Sequence, residues 1–217
     1  MCTGKCSKFI GICLYPLALL SIICNIFLFF PDFQTIYSKE EAEGLYRLTD
    51  EIKYMGGVVG GGILVLIPAI HIHSTGRQGC CSNRCGMFLS IIFAAVGVAG
   101  ALYSGIIAVV GLIRGPVCML ENDTWSRPFL NSTESYLGNS ETWETCEEPE
   151  NIVVFNIALF SALLVAACLE LLLCGFQVLN GLFGCICGTC NHKEVCTLDT
   201  KVTSFLKVKS FIYRIYY

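Results

Sequence analysis

"SIIFAAVGVAGALYSGIIAVVG", residues 90–111, runs through twenty-two residues without a charge. A soluble surface helix of that length would carry a charged face, whereas this one matches the ~20 apolar residues that a bilayer crossing requires. Within it Ser90, Ala94, Gly97, Ala101, Ser104, Ala108 and Gly111 recur at alternating steps of four and three, and all are small. In lipid an apolar side chain gains nothing by leaving acyl chains for a neighbouring helix, so association rests on close backbone approach and dispersion. The stretch reads as a membrane-spanning helix with a packing seam. Its heptad spacing predicts left-handed crossing at about +20°.

Outward from this seam the same composition repeats. Of 217 residues, 54% are hydrophobic and 14% charged, and the apolar ones fall in blocks at about 9–30, 54–73, 86–113 and 152–183. The chain is therefore expected to be an all-α membrane protein with four transmembrane helices, a small first and a larger second extracellular loop, the latter spanning 114–151. The first block is longer than a ~7–15 residue signal core, and no small-x-small cleavage site precedes Pro31. No repeat or soluble domain interrupts residues 1–190, and 191–217 form a tail.

An even number of spans puts both termini on one side, and charge says which. Lys5, Lys8, Arg77, Arg84, Lys193, Lys201, Lys207, Lys209 and Arg214 flank the ends expected to be cytosolic. Fourteen of the seventeen acidic residues lie in 31–53 and 114–151, so both outer loops are negative. The sequons at Asn122 and Asn131 fall in the larger loop. So do Cys118 and Cys146, which the other thirteen cysteines do not join. Two cysteines in an oxidising compartment suggest one disulfide. The third span ends "LIRGPVC": Arg114 sets a cation at the negative helix end, Gly115 suits a left-handed cap, and Pro116 cannot continue the helix.

The second span opens "YMGGVVGGGILVLIPA", where Gly56 with Gly60 and Gly57 with Gly61 form a second close-contact face, and Pro68 should kink the helix near its inner end. Glu170 is the one carboxylate in the hydrocarbon region, where an acid is costly unless protonated or paired. It reads as inter-helix glue, with an ion or proton site as the alternative. Counting down each helix from its outer end places Tyr15 and His71 near its level as expected partners and Asn25 too high, while Gln177 continues its face.

"CICGTCNHKEVC", residues 185–196, has the cysteine density of a zinc knuckle, but its place at the inner end of a span favours another chemistry. Cys2, Cys6, Cys80, Cys81, Cys85, Cys185, Cys187 and Cys190 converge near the inner face, where juxtamembrane thiols are ordinary acceptors of palmitate. They are read as acylation candidates, with no metal and no cofactor. No Ser/His/Asp arrangement, paired carboxylates within a pocket-forming segment or phosphate loop is visible, and "GGVVGGG" lacks the Lys-Ser/Thr of a P-loop. The chain is not read as an enzyme or a nucleic-acid binder. The tail "TKVTSFLKVKSFIYRIYY" mixes cations with aromatics in a way that suits an inner membrane surface.

The stretches "MCTGKC" (1–6), "NIFLFFP" (25–31), "GGVVGGGILVLIPA" (56–69), "GPVC" (115–118), "CEEPENIVVFNIALFSALL" (146–164) and "CGFQVLNGLFGCICG" (174–188) resemble the transmembrane four L-six family, which shares its layout with the tetraspanins. The resemblance covers about residues 1–190. It implies a plasma-membrane or endosomal glycoprotein, a scaffold that organises receptors or adhesion molecules laterally and modulates growth, adhesion or motility signalling. Membrane lipids and other membrane proteins are the expected partners, with a homo-oligomer left open. The rivals are a channel or transporter using Glu170, and a junction protein of the claudin kind, whose disulfide-bearing loop would lie between the first two spans.

Asn131 should be glycosylated more fully than Asn122, which sits nearer the membrane end of the third span. Changing each Asn to Gln and comparing gel mobility checks this; a shift from the Asn122 change alone would contradict it.

Overall fold

The computed structural model describes residues 3–30, 49–75, 84–120, 124–130, 136–149 and 151–187. Four helical stretches are long and apolar enough to cross a membrane: Cys6–Leu28, Glu51–Ser74, Phe88–Arg114 and Ile152–Phe183. They belong to α1 (Thr3–Leu28), a composite second span, α4 (Arg84–Arg114) and α5 (Ile152–Cys187). Each lies within a few residues of the block expected from composition. The second span and α5 both pack against α1, and the same two pack against α4. The result is an up-down bundle with sequence neighbours adjacent and α1 closed onto α5.

The second span departs from the uniform helix expected of it. It opens with the single turn α2 (Asp50–Lys53), passes Met55 in the left-handed region at φ 49°, becomes π-helical over Gly56–Ile63, and continues as α3 (Leu64–Thr75). Glycine is a poor α-helix former, and five of these eight residues are glycine, all buried. Asn25 on α1 pins the wide turn, its Oδ1 accepting from the Val58 amide at 3.1 Å. Pro68 lies inside α3, so the backbone bond it cannot make falls on Leu64, the residue where the π register gives way to α.

All seven small residues of the α4 seam are buried. They do not serve one neighbour alone. A Cβ added at Gly97 would lie 2.7 Å from the Cys174 sulfur of α5 and 3.2 Å from Pro68 of α3, and one at Gly111 would meet the Phe160 ring of α5. The closest contact with the second span involves Gly100, outside the expected seam. A Cβ at Gly60 would stand 2.7 Å from the Gly100 carbonyl oxygen, and one at Gly100 would stand 2.7 Å from that of Gly60. Each backbone thus occupies the space a side chain would need on the other, the geometry in which Cα–H···O contacts form.

At the bundle end opposite Thr3 and Cys187, the segment after α4 folds back as a small platform. Gly115, at φ 69°, ends α4 in the left-handed conformation expected of it, with its amide on Gly111 O and the Phe129 ring packed over it. Strands β1 (Cys118–Met119) and β2 (Trp125–Ser126) pair antiparallel, so the fold includes a short sheet that an all-helical reading did not anticipate. Two 3-10 turns, Tyr136–Gly138 and Ser140–Thr145, complete the platform. Its small core holds Cys118, Phe129 and Tyr136 against Ile152 and Val153 of α5. α5 is therefore longer than a crossing needs: 36 residues, or about 54 Å at 1.5 Å each, against a ~30 Å hydrocarbon layer.

Gly57→Ala and Gly100→Ala should each destabilise the bundle by about 1–3 kcal/mol, because the added methyl meets backbone carbonyls that cannot swing aside. Gly175→Ala, where nothing lies within 4 Å, should be neutral or slightly stabilising. Thermal melts of detergent-solubilised protein compare the three, and equal midpoints would contradict this account of the packing.

Candidate functional site

Two sets of polar groups stand out: one inside the bundle, and one where the platform meets it. The second was not legible as a unit in the sequence. Glu51, at the head of the second span, is 2% exposed. Arg127 of the platform reaches both of its carboxylate oxygens, at 3.3 and 3.1 Å, and Arg114 at the end of α4 adds a third contact at 3.0 Å. Arg114, read from sequence as a helix-dipole cation, thus has a defined acid partner as well. Charge counting had grouped Glu51 with the other acids of the outer loops. The available signal was Arg127, the one cation after Arg114 in an otherwise acidic loop.

The platform is tied down at further points. Cys118 and Cys146 form a disulfide closing a separation of 28 residues, with Cα atoms 5.5 Å apart. Tyr136 donates its hydroxyl to Leu112 O on α4, and burial pushes that hydroxyl up to about 12, so it stays protonated and able to donate at physiological pH. Trp143 Nε1 donates to Tyr136 O at 2.8 Å, and Tyr136 stacks on Phe129 with ring centroids 4.5 Å apart. The disulfide and the Trp143 bond hold the platform together, while the Glu51 ion pair, the Tyr136 hydroxyl and the apolar core fasten it to the second span, α4 and α5.

Inside the bundle Glu170 is fully buried, and its Oε1 accepts from Ser21 Oγ of α1 at 3.2 Å. Its Oε2 lies 3.1 Å from where a Gly61 Cβ would stand, so Gly61 leaves the room that the carboxyl occupies. The partners expected for Glu170 are engaged elsewhere. Tyr15 pairs with His73 Nδ1 at 3.3 Å, and the His71 ring stacks on Phe93 at 4.4 Å. The error lies in the depth count, which started every helix at one level. The first two turns of α5 rise into the platform, and Phe160 shares a core cluster with Leu28 at the end of α1, so Glu170 is higher in the bundle than counted. Asn25, correctly kept apart from Glu170, serves the Val58 amide.

Nearer the termini, Gln177 Nε2 donates to Ser7 Oγ at 3.0 Å and to Ser90 Oγ at 2.8 Å, and Asn180 Nδ2 donates to Ser7 Oγ at 2.9 Å. This clamp joins α1, α4 and α5. Ser7 and Asn180 were missed because, at helix ends rich in cysteine, neither stands out by type. Ser90 was read only as a small seam residue.

Cys6 is exposed and Cys185 half-buried at the same end of the bundle. Cys85 falls within α4 and Cys187 closes α5. Cys2, Cys80, Cys81, Cys190, Asn122, Asn131 and the tail 191–217 lie outside the described residues. Among the described residues no group of three His, Cys, Asp or Glu is placed to hold a metal ion.

The sequence profile of the family described as "L6 membrane protein" matches residues 1–191. The chain is 41% identical over 199 residues to "Transmembrane 4 L6 family member 5" of Bos taurus, covering 89% of this chain and 98% of that protein. It is 41% identical over 198 residues to "Transmembrane 4 L6 family member 4" of Homo sapiens, covering 88% and 94%. With "Transmembrane 4 L6 family member 1" of Homo sapiens it shares 40% identity over 203 residues, covering 89% and 98%. No solved structure matches the chain.

Replacing Arg127, 15% exposed, should loosen the platform more than replacing Arg114, 51% exposed, because losing one partner of a buried ion pair costs about 3–5 kcal/mol and of an exposed one under ~1 kcal/mol. Hydrogen exchange across 124–130 in Arg127→Met and Arg114→Met measures the difference. Exchange in Arg127→Met no faster than in Arg114→Met would mean that the Arg127–Glu51 pair does not anchor the platform.

Proposed function

We propose a scaffolding role on a plain premise: the chain belongs to the L6 membrane protein family. It is a four-span membrane protein. We read it as a non-enzymatic organiser of receptors or adhesion molecules in the plasma or endosomal membrane, modulating growth, adhesion or motility signalling. The observation that carries this reading is where the polar groups are engaged. Ser21 with Glu170, Ser7 and Ser90 with Gln177, and Asn25 with the Val58 amide join helix to helix, while Glu51 joins the bundle to the platform. Such bonds stiffen a body and fix the surface it presents, which recognition of a partner exploits.

In this reading the platform faces outward, glycosylated at Asn131 and Asn122, and both termini are cytosolic, in keeping with the placing of Lys and Arg along the chain. Cys6 and Cys185, with the other cysteines of that end, carry acyl chains that hold the inner collar to the leaflet. The transport rival draws on one observation, the Glu170 Oε2, which has no hydrogen-bond partner among the described residues. The junction rival is weakened because the disulfide joins residues between the third and fourth spans.

Proximity labelling of the full chain in its native membrane, beside a variant whose segment 115–149 is replaced by that of an L6 relative, separates these readings. The scaffold reading expects the labelled set to change with the loop while the bundle keeps its melting temperature. An unchanged set would count against it. Solute flux in proteoliposomes that is lost on Glu170→Gln would turn the assignment to transport.

A further inference from the structure

Beside the disulfide, the platform and the first turn of α5 enclose a groove of about 290 Å³ whose lining includes Ser140, Trp143, Glu144, Asn151, Val153 and Val154. That volume is near the ~300 Å³ lower end of small-molecule clefts, suited to a compact polar group. Its depth follows from the packing. Phe160 lies against Gly111, one turn below the half-exposed Arg114, and Val153 stands about 10 Å above Phe160 along α5 at 1.5 Å per residue. With the charged Arg114 taken as the edge of the hydrocarbon, the groove stands level with the headgroups.

The lining has a definite chemistry. The Trp143 indole N–H is taken by Tyr136 O, so what Trp143 offers the groove is its aromatic surface. Glu144 is exposed and forms no ion pair with a described residue, and none of the described residues lining the groove is cationic. An aromatic ring beside an unpaired carboxylate suits an alkylammonium cation. The Asn151 amide and the Ser140 hydroxyl supply donors for an anionic oxygen, and Val153 and Val154 give an apolar floor.

We propose that this groove seats the headgroup of a zwitterionic phospholipid, with the choline-type ammonium between Trp143 and Glu144 and the phosphate toward Asn151 and Ser140. An anionic headgroup without an ammonium would meet the Glu144 charge with nothing to offset it. The site selects a lipid of the leaflet on the platform's side.

The chain has two tryptophans, so Trp125→Phe leaves Trp143 as the reporter in otherwise full-length protein. It is placed in nanodiscs holding a small fixed fraction of phosphatidylcholine spin-labelled at the headgroup, in a background of either phosphatidylglycerol or unlabelled phosphatidylcholine. A selective site quenches Trp143 about two- to five-fold more in the phosphatidylglycerol background, where nothing competes for the groove. Glu144→Gln should bring that ratio toward one while non-reduced peptides still show Cys118 joined to Cys146. Equal quenching in both backgrounds, or a preference that survives Glu144→Gln in folded protein, overturns the proposal. A Lys/Arg-rich peptide that shifts Trp143 emission while the two backgrounds quench alike assigns the groove to a protein segment and overturns it too.

Discussion

Everything in this bundle follows from the need to bring backbones together where no water can drive association. The second span meets that need with glycine. Gly57 lies against the Ser21 carbonyl, Gly60 and Gly100 face each other through their own carbonyl oxygens, and Gly61 leaves space for the Glu170 carboxyl. A run so rich in glycine holds an α register weakly, and here it takes the wider π turn. Asn25 anchors that turn from α1. The close approach, the irregular helix and the buried acid are consequences of one composition.

What the sequence made legible, and what it did not, divides along physical lines. Spans, seam and cap could be read because lipid imposes length, small-residue spacing and end chemistry on a single helix at a time. The α4 seam and Gly115 are local signals of this kind. Gly100 escaped because the seam was read for one neighbour and α4 has two. Partners across the bundle depend on how far each helix is raised relative to the others, and no single helix carries that information. The protrusion of α5 moved Glu170 from the level of Tyr15 to that of Ser21.

The platform was the least legible part for a related reason. Its composition is that of an acidic loop, and the two positions that organise it are distant in sequence: Glu51 precedes two spans' worth of chain before Arg127 appears. The cysteine inventory revealed one tether. The Tyr136 hydroxyl on Leu112 and the Trp143 indole on Tyr136 use residues whose role depends wholly on where the chain returns. Their aromatic bulk was the hint, since an acidic segment that keeps Trp, Tyr and Phe has something to bury.

The side-chain bonds that α5 makes to the other helices share a directionality that matters while the chain is being made. Ser7, Ser21 and Ser90 emerge first, and a lone hydroxyl can bond back to its own helix and enters lipid at little cost. Glu170, Gln177 and Asn180, the costlier partners, are all on the last helix. That helix is synthesised after every group it must meet is already in place, so its insertion and its docking can be a single event. Vectorial synthesis thus never leaves the buried carboxyl waiting in the membrane for a hydroxyl not yet translated.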